Sequence, residues 1–164
     1  MAVQIGILTI SDSVAQGGRA DLSGQAIREL VTAAPLEGIV AQQLVVPDDY
    51  EQITAILRRW ADDLHLELVL TTGGTGLGPR DITPEATRAV IEREAPGIAE
   101  AIRAESLRHT PFGMLSRGIA GARGRTLIIN LPGSPKAVRE SLQAILPALP
   151  HAVALLTGAF TQHS

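Results

Sequence analysis

The sequence predicts an α/β fold in which a mostly parallel central sheet carries helices on both faces. Three observations predict it. Short apolar runs rich in β-branched residues recur at residues 3–10, 66–70 and 126–130, each of a length that suits a buried strand. Segments with apolar residues at helical spacing lie between them. Glycine, proline or aspartate follows each run, as expected where a strand hands over to a helix. Strands alternating with helices in this way form parallel pairs covered on both sides.

Taken in order, VQIGILTI at residues 3–10 reads as the first central strand, ending at Ser11-Asp12-Ser13 and loosening into residues 15–19. Ala26, Ile27, Leu30 and Val31 then mark a helix from about residue 23 to 33, closed by Pro35 and Gly38. Residues 39–46 read as a strand that Pro47 stops, leaving Asp48-Asp49 at its end. Ile53, Ile56, Leu57, Trp60 and Leu64 share one face of the next helix, with Glu51, Arg58, Arg59, Asp62 and Asp63 on the other. LELVL at residues 66–70 is a second central strand.

Four glycines within residues 73–78 follow that strand, and Thr83-Pro84-Glu85 then reads as a helix start: Thr83 as N-cap, Pro84 in the first turn. That helix runs through Ala86, Val90 and Ile91 and breaks at Ala95-Pro96-Gly97. Another, with Ile98, Ile102 and Leu107, ends at Thr110-Pro111-Phe112-Gly113. Residues 114–125 read as irregular structure able to return close to the glycine loop. TLIIN at residues 126–130 is the last strand, with Ser134 as N-cap and Pro135 opening a terminal helix. That helix is expected to reach about residue 159, broken near Pro147 and Pro150.

At 164 residues the chain is expected to form one domain, residues 1–164. A net charge of −3 without a Lys/Arg cluster, and only four aromatics (Tyr50, Trp60, Phe112 and Phe160), argue against a nucleic-acid partner. Zero cysteines exclude disulfides, thiolate metal sites and a cysteine nucleophile. His65, His109, His151 and His163 lack ligand spacing. With no signal-peptide pattern and no apolar run of membrane-spanning length, a cytoplasmic protein without a membrane partner is expected.

In open α/β sheets, ligands sit beyond the carboxyl ends of the strands. There the sequence sets Ser11-Asp12, Asp48-Asp49, the glycine loop with Arg80 and Asp81, and Asn130-Leu131-Pro132-Gly133-Ser134. Gly73, Gly74, Thr75 and Gly76, ahead of a helix start, form a loop suited to an anion or nucleotide. It is neither a Walker A motif nor a dinucleotide fingerprint, and a tight structural turn is the alternative. Asp12, Asp48 and Asp81 could each cap a turn. Gathered together they would repel, unless a magnesium ion carried by nucleotide phosphates relieved the charge. Arg80 suits either a phosphate clamp or a pair with Asp81, and Lys136 is expected to be solvated.

These residues carry a resemblance. TTGGTGLGPRDITPEAT and LIINLPGSPKAV, preceded by VPDD and ILTISD, resemble the molybdenum-cofactor biosynthesis family. Within it the chain is most similar to the molybdopterin adenylyltransferases, of the bacterial type and of the plant and gephyrin G-domain type, from about Ile5 to Gly158. The resemblance implies a three-layer αβα fold, commonly trimeric. It also implies transfer of AMP from Mg-ATP to the terminal phosphate of molybdopterin, with release of pyrophosphate and passage of the product to a molybdenum-inserting enzyme. By motif position the essential acids are Asp48 and Asp81, which would hold Mg²⁺ through the ATP phosphates. Gly73, Gly74, Thr75 and Gly76 match the nucleotide loop, Asn130, Gly133 and Ser134 the second loop, and Ser116 a pterin-side segment.

Three rival readings keep the same rim. A molybdenum-inserting enzyme would carry further domains, for which 164 residues leave no room. A carrier would bind molybdopterin without adenylylating it, and an unrelated nucleotide hydrolase would release pyrophosphate without the pterin.

Overall fold

The structure, a computed structural model, describes residues 2–159; Phe160 and His163 lie outside the described residues. Six strands form one sheet in the order β2-β1-β3-β6-β5-β4. Strands β1 (Gln4–Ile10), β2 (Ile39–Val46), β3 (Leu68–Thr72) and β6 (Thr126–Leu131) are parallel, while β5 (Ala120–Arg123) and β4 (Arg93–Glu94) add an antiparallel edge. The expected mostly parallel three-layer architecture is what forms.

Alternation along the strands sorts the core into two layers. Ile5, Ile7, Leu68, Leu70, Leu127 and Ile129 pack beneath α2 (Leu22–Thr32), α5 (Pro96–His109), α6 (Pro135–Ile145) and α7 (Leu149–Thr157). Leu8, Ile10, Val69 and Ile128 pack against α3 (Tyr50–Asp62) and α4 (Thr83–Val90). Each helix lays its apolar stripe on the sheet, which removes that surface from water.

One close approach on the second face depends on a missing side chain. A Cβ at Gly6 would lie 2.6 Å from Cε3 of Trp60, so glycine lets the indole of α3 pack onto β1. Gly6→Ala should lower the free energy of unfolding by about 1–3 kcal/mol through overpacking, read as a shifted urea midpoint with an unchanged slope. A variant as stable as the parent would contradict that packing.

Four local features differ from the sequence reading. A four-residue helix α1 (Asp12–Ala15) replaces the expected loop, because the Ser11 side chain accepts a hydrogen bond from Val14 N. Helix α2 starts at Leu22, with Asp21 as its N-cap accepting from Gly24 N. Thr83 is the first residue of α4 rather than its cap; its hydroxyl donates to Gly73 O at 2.9 Å, and Ile82 at the cap makes no side-chain bond. Part of residues 114–125 is strand β5, whose AGAR sequence lacks branched side chains and pairs through its backbone with β6 and β4. The terminal helix does break at Pro147, in a 3₁₀ turn, and Pro150 opens the first turn of α7.

Strand β1 lies between β2 and β3, and its two neighbours are reached by helices on opposite faces. This reversal opens a crevice beyond the carboxyl ends of β1 and β3.

Candidate active site

A cleft of about 500 Å³ occupies that crevice, lined by Thr9, Ile10 and Ser11 at the end of β1, Thr72 to Gly74 after β3, and Gly133, Ser134 and Pro135 after β6. Asp48 and Asp81 complete the wall on one side; Arg19, Asp21 and Ser23 at the start of α2 complete the other.

The floor is built by close backbone approach. Gly73 has φ +98°, and a Cβ there would lie 2.2 Å from Ile10 O. Its N–H donates to Leu131 O at 3.2 Å, and Thr72 Oγ1 donates to Pro132 O at 2.5 Å, tying the glycine loop to the loop after β6. Gly133 packs against Gly73, with Ser23 Oγ donating to Gly133 O at 2.6 Å. The Ser134 side chain accepts from Ala137 N and caps α6, as expected. Among the described residues the amides of Gly74, Thr75 and Gly76 donate to no protein acceptor.

The acids divide by role. Asp49 caps α3, accepting from Gln52 N at 2.9 Å, while Asp48 faces the cleft. Asp12 and Asp48 hold each other: Asp12 N donates to Asp48 Oδ2 and Asp48 N donates to Asp12 Oδ1, each at 3.0 Å. Arg80 reaches Asp12 from Nε at 2.6 Å and also donates to Asp48 O at 3.1 Å. Arg80 therefore pairs with Asp12, a residue 68 positions away, rather than with its neighbour Asp81. Asp81 instead accepts from Gly78 N through Oδ2 at 2.9 Å, close against Gly76.

The Arg80 guanidinium and then the Asp48 amide hold the Asp12 carboxyl below the usual carboxylate range. Burial pushes Asp48 the other way, above that range; the Asp12 and Asp81 charges add to the rise, and the Asp12 amide and Arg80 oppose it. A carboxyl raised in the folded state favours its protonated form, so its stabilising contribution is present at low pH and is lost as pH rises through the folded pKa. Asp48→Asn should therefore melt at a higher temperature than the parent at neutral pH, and the difference should close on acidification. A neutral-pH melting temperature below that of the parent would contradict this.

Three carboxylates, Asp48 and Asp81 on one wall and Asp21 on the other, share the cleft lining with one guanidinium, that of Arg19, so a bare polyphosphate would be repelled. Among the described residues no three acidic or histidine side chains converge as a metal cage. Two carboxylates beside free amides instead fit a magnesium ion that takes its remaining ligands from phosphate and water.

Of the residues singled out in the sequence, Ser11, Asp48, Gly73, Gly74, Asp81, Gly133 and Ser134 line this one cleft, and Asp12 and Arg80 adjoin it. Thr75, Gly76, Ser116 and Asn130 do not line it. Asn130 is buried, donating to Thr71 and Thr87 hydroxyls and accepting from Ile119 N. Ser116 Oγ accepts from Gly118 N at 3.3 Å, and Lys136 is exposed. Thr9 and Asp21 were missed in the sequence; Thr9 Oγ1 donates to both Asp21 carboxylate oxygens, at 3.0 and 2.9 Å. Asp21, set three residues before Gly24, carries an N-cap signal that could have found it.

Residues 6–151 match a family described as a probable molybdopterin binding domain. The molybdopterin adenylyltransferase of Helicobacter pylori J99 is 43% identical over 160 residues, covering 98% of this chain and 91% of that protein. The molybdenum cofactor synthesis protein cinnamon of Drosophila melanogaster is 46% identical over 155 residues, covering 94% of this chain and only 26% of that longer protein. The solved molybdopterin biosynthesis enzyme MoaB of Thermus thermophilus superposes with a TM-score of 0.89 at 56% identity, covering 95% of this chain and 97% of that one.

Proposed function

The chain belongs to the molybdopterin-binding domain family, and from that membership we propose that it is a molybdopterin adenylyltransferase of molybdenum cofactor biosynthesis. It transfers AMP from ATP to molybdopterin. The observation that carries the reading is the convergence of Asp48 and Asp81 on one cleft with Gly73, Gly74, Gly133 and Ser134.

A terminal phosphate oxygen of the pterin attacks the α-phosphorus of ATP. A new P–O bond forms as the bond to the bridging oxygen breaks, and pyrophosphate leaves with the charge. The phosphate is itself the nucleophile, so no side chain need become covalently attached. Asp48 and Asp81 would hold Mg²⁺, which would neutralise charge on the polyphosphate. The Gly74, Thr75 and Gly76 amides donate to phosphate oxygens from the glycine loop, and the rigid floor fixes donor and acceptor in line. Ser116 lies on the pterin side. Adenine, with few aromatics available, is held by backbone and aliphatic groups.

The whole chain acts as one domain in the cytoplasm, as a homotrimer that passes its product to a molybdenum-inserting enzyme. Among the described residues no helix is long and apolar enough to cross a membrane. Incubation with Mg-ATP and purified molybdopterin, followed by mass detection, should yield adenylyl-molybdopterin and pyrophosphate. Bound but unmodified pterin would identify a carrier instead. Pyrophosphate released without pterin would identify a hydrolase.

A further inference from the structure

We propose that Arg117 is a positioning residue for adenylyl transfer, holding the glycine loop so that its amides are aimed at phosphate; this rests on the adenylyltransferase reading of the cleft. Arg117 does not line the cleft and acts from behind the loop.

Its bonds define the role. The Arg117 N–H donates to Thr75 O at 2.8 Å, Nε donates to Gly76 O at 2.7 Å, and one terminal nitrogen donates to Asp81 O at 3.0 Å. The other terminal nitrogen pairs with the Glu85 carboxylate in the first turn of α4. One residue thus spans the loop from Thr75 to the backbone of Asp81 and ties it to the helix that follows.

The consequence lies in peptide geometry. In a trans peptide the carbonyl and the N–H point in opposite directions. Drawing the Thr75 and Gly76 carbonyls toward Arg117 turns the Gly76 and Leu77 amides away from it, and among the described residues neither amide has a protein acceptor. The Asp81 carbonyl is held likewise, which fixes the residue whose carboxylate faces the cleft. Without the guanidinium the Gly76 and Asp81 carbonyls lose their donor and those peptides are free to rotate, while Thr75 O keeps its bond to the Arg117 backbone N–H.

Arg117 is itself anchored from far along the chain. Arg103 of α5 donates to Gly118 O at 2.8 Å and to Ser116 O at 3.4 Å. Ile119 N donates to Asn130 Oδ1 at 3.1 Å, so Asn130 supports the loop through this segment. A lysine cannot take over the role, because one ammonium lacks the planar fork that serves separated acceptors together.

The test compares the parent with Arg117→Lys and Arg117→Ala. In both variants kcat should fall about 100-fold, the cost of a misplaced loop. Amide hydrogen exchange should accelerate at Gly78, Asp81 and Thr83, whose N–H groups are hydrogen-bonded within the loop, and stay unchanged in the central strands. Added guanidinium ion should restore part of the lost kcat in Arg117→Ala. Parental kcat in Arg117→Lys, or exchange that rises evenly along the chain with no guanidinium rescue, would overturn the proposal. A parent that makes no adenylyl-molybdopterin refutes the activity reading alone, while loop exchange in the lysine variant still decides whether Arg117 holds the loop.

Discussion

Asp81→Asn should keep the fold and lose adenylyl transfer by about a thousandfold, roughly 4 kcal/mol of transition-state stabilisation. The fold survives because an asparagine oxygen can still accept from Gly78 N, the bond that Asp81 Oδ2 makes at 2.9 Å. Its backbone carbonyl still accepts from Arg117. What disappears is one of the two charges facing the place where a nucleotide-bound cation would sit. Steady-state kinetics with molybdopterin and Mg-ATP, beside a melting curve, checks both halves. Turnover within a few-fold of the parent would remove Asp81 from the mechanism.

Gly74→Ala should be as damaging for a steric reason. At φ +69° a side chain is strained, and a Cβ there would lie 2.2 Å from Thr83 Oγ1 and 3.1 Å from Asp48 Oδ1. Relief requires breaking the Thr83 bond to Gly73 O, shifting Asp48, or moving the loop whose amides are to hold phosphate. Calorimetric ATP titration should show affinity falling at least tenfold, together with a drop of about 1–3 kcal/mol in stability. Adding Thr83→Ala removes the nearest clash and should recover part of the stability. It should not recover activity, because the strain and the contact with Asp48 remain. Normal ATP affinity in Gly74→Ala would mean that nucleotide does not approach this loop.

Much of this was written locally in the chain. Strands β1, β3 and β6 could be read because each is a mostly apolar run, almost wholly buried in a sheet covered on both faces. The glycine loop and Ser134 could be read because positive φ and helix capping have local residue signatures. What could not be read depends on partners distant in sequence. Arg80 finds Asp12 rather than its neighbour Asp81, and Thr83 spends its hydroxyl on Gly73. Asp48 and Asp49 look alike in sequence, yet one faces the cleft and the other caps α3.

Asn130 is different, because strand alternation alone could have placed it. Leu127, Ile129 and Leu131 face α2 and α6, so residue 130 shares the face of Ile128, toward α4. Strand β5 was hidden because a short run of mostly small residues, AGAR, carries no hydrophobic pattern.

If Asp48, Asp81 and the glycine-loop amides surround one polyphosphate, a crystal structure with Mg²⁺ and a non-hydrolysable ATP analogue should show it. The triphosphate is expected within hydrogen-bonding distance of the Gly74 to Gly76 amides, its cation beside Asp48 and Asp81. A nucleotide seated instead at the opposite end of the sheet, in the hollow beside His65, Glu67 and Arg125, would contradict it.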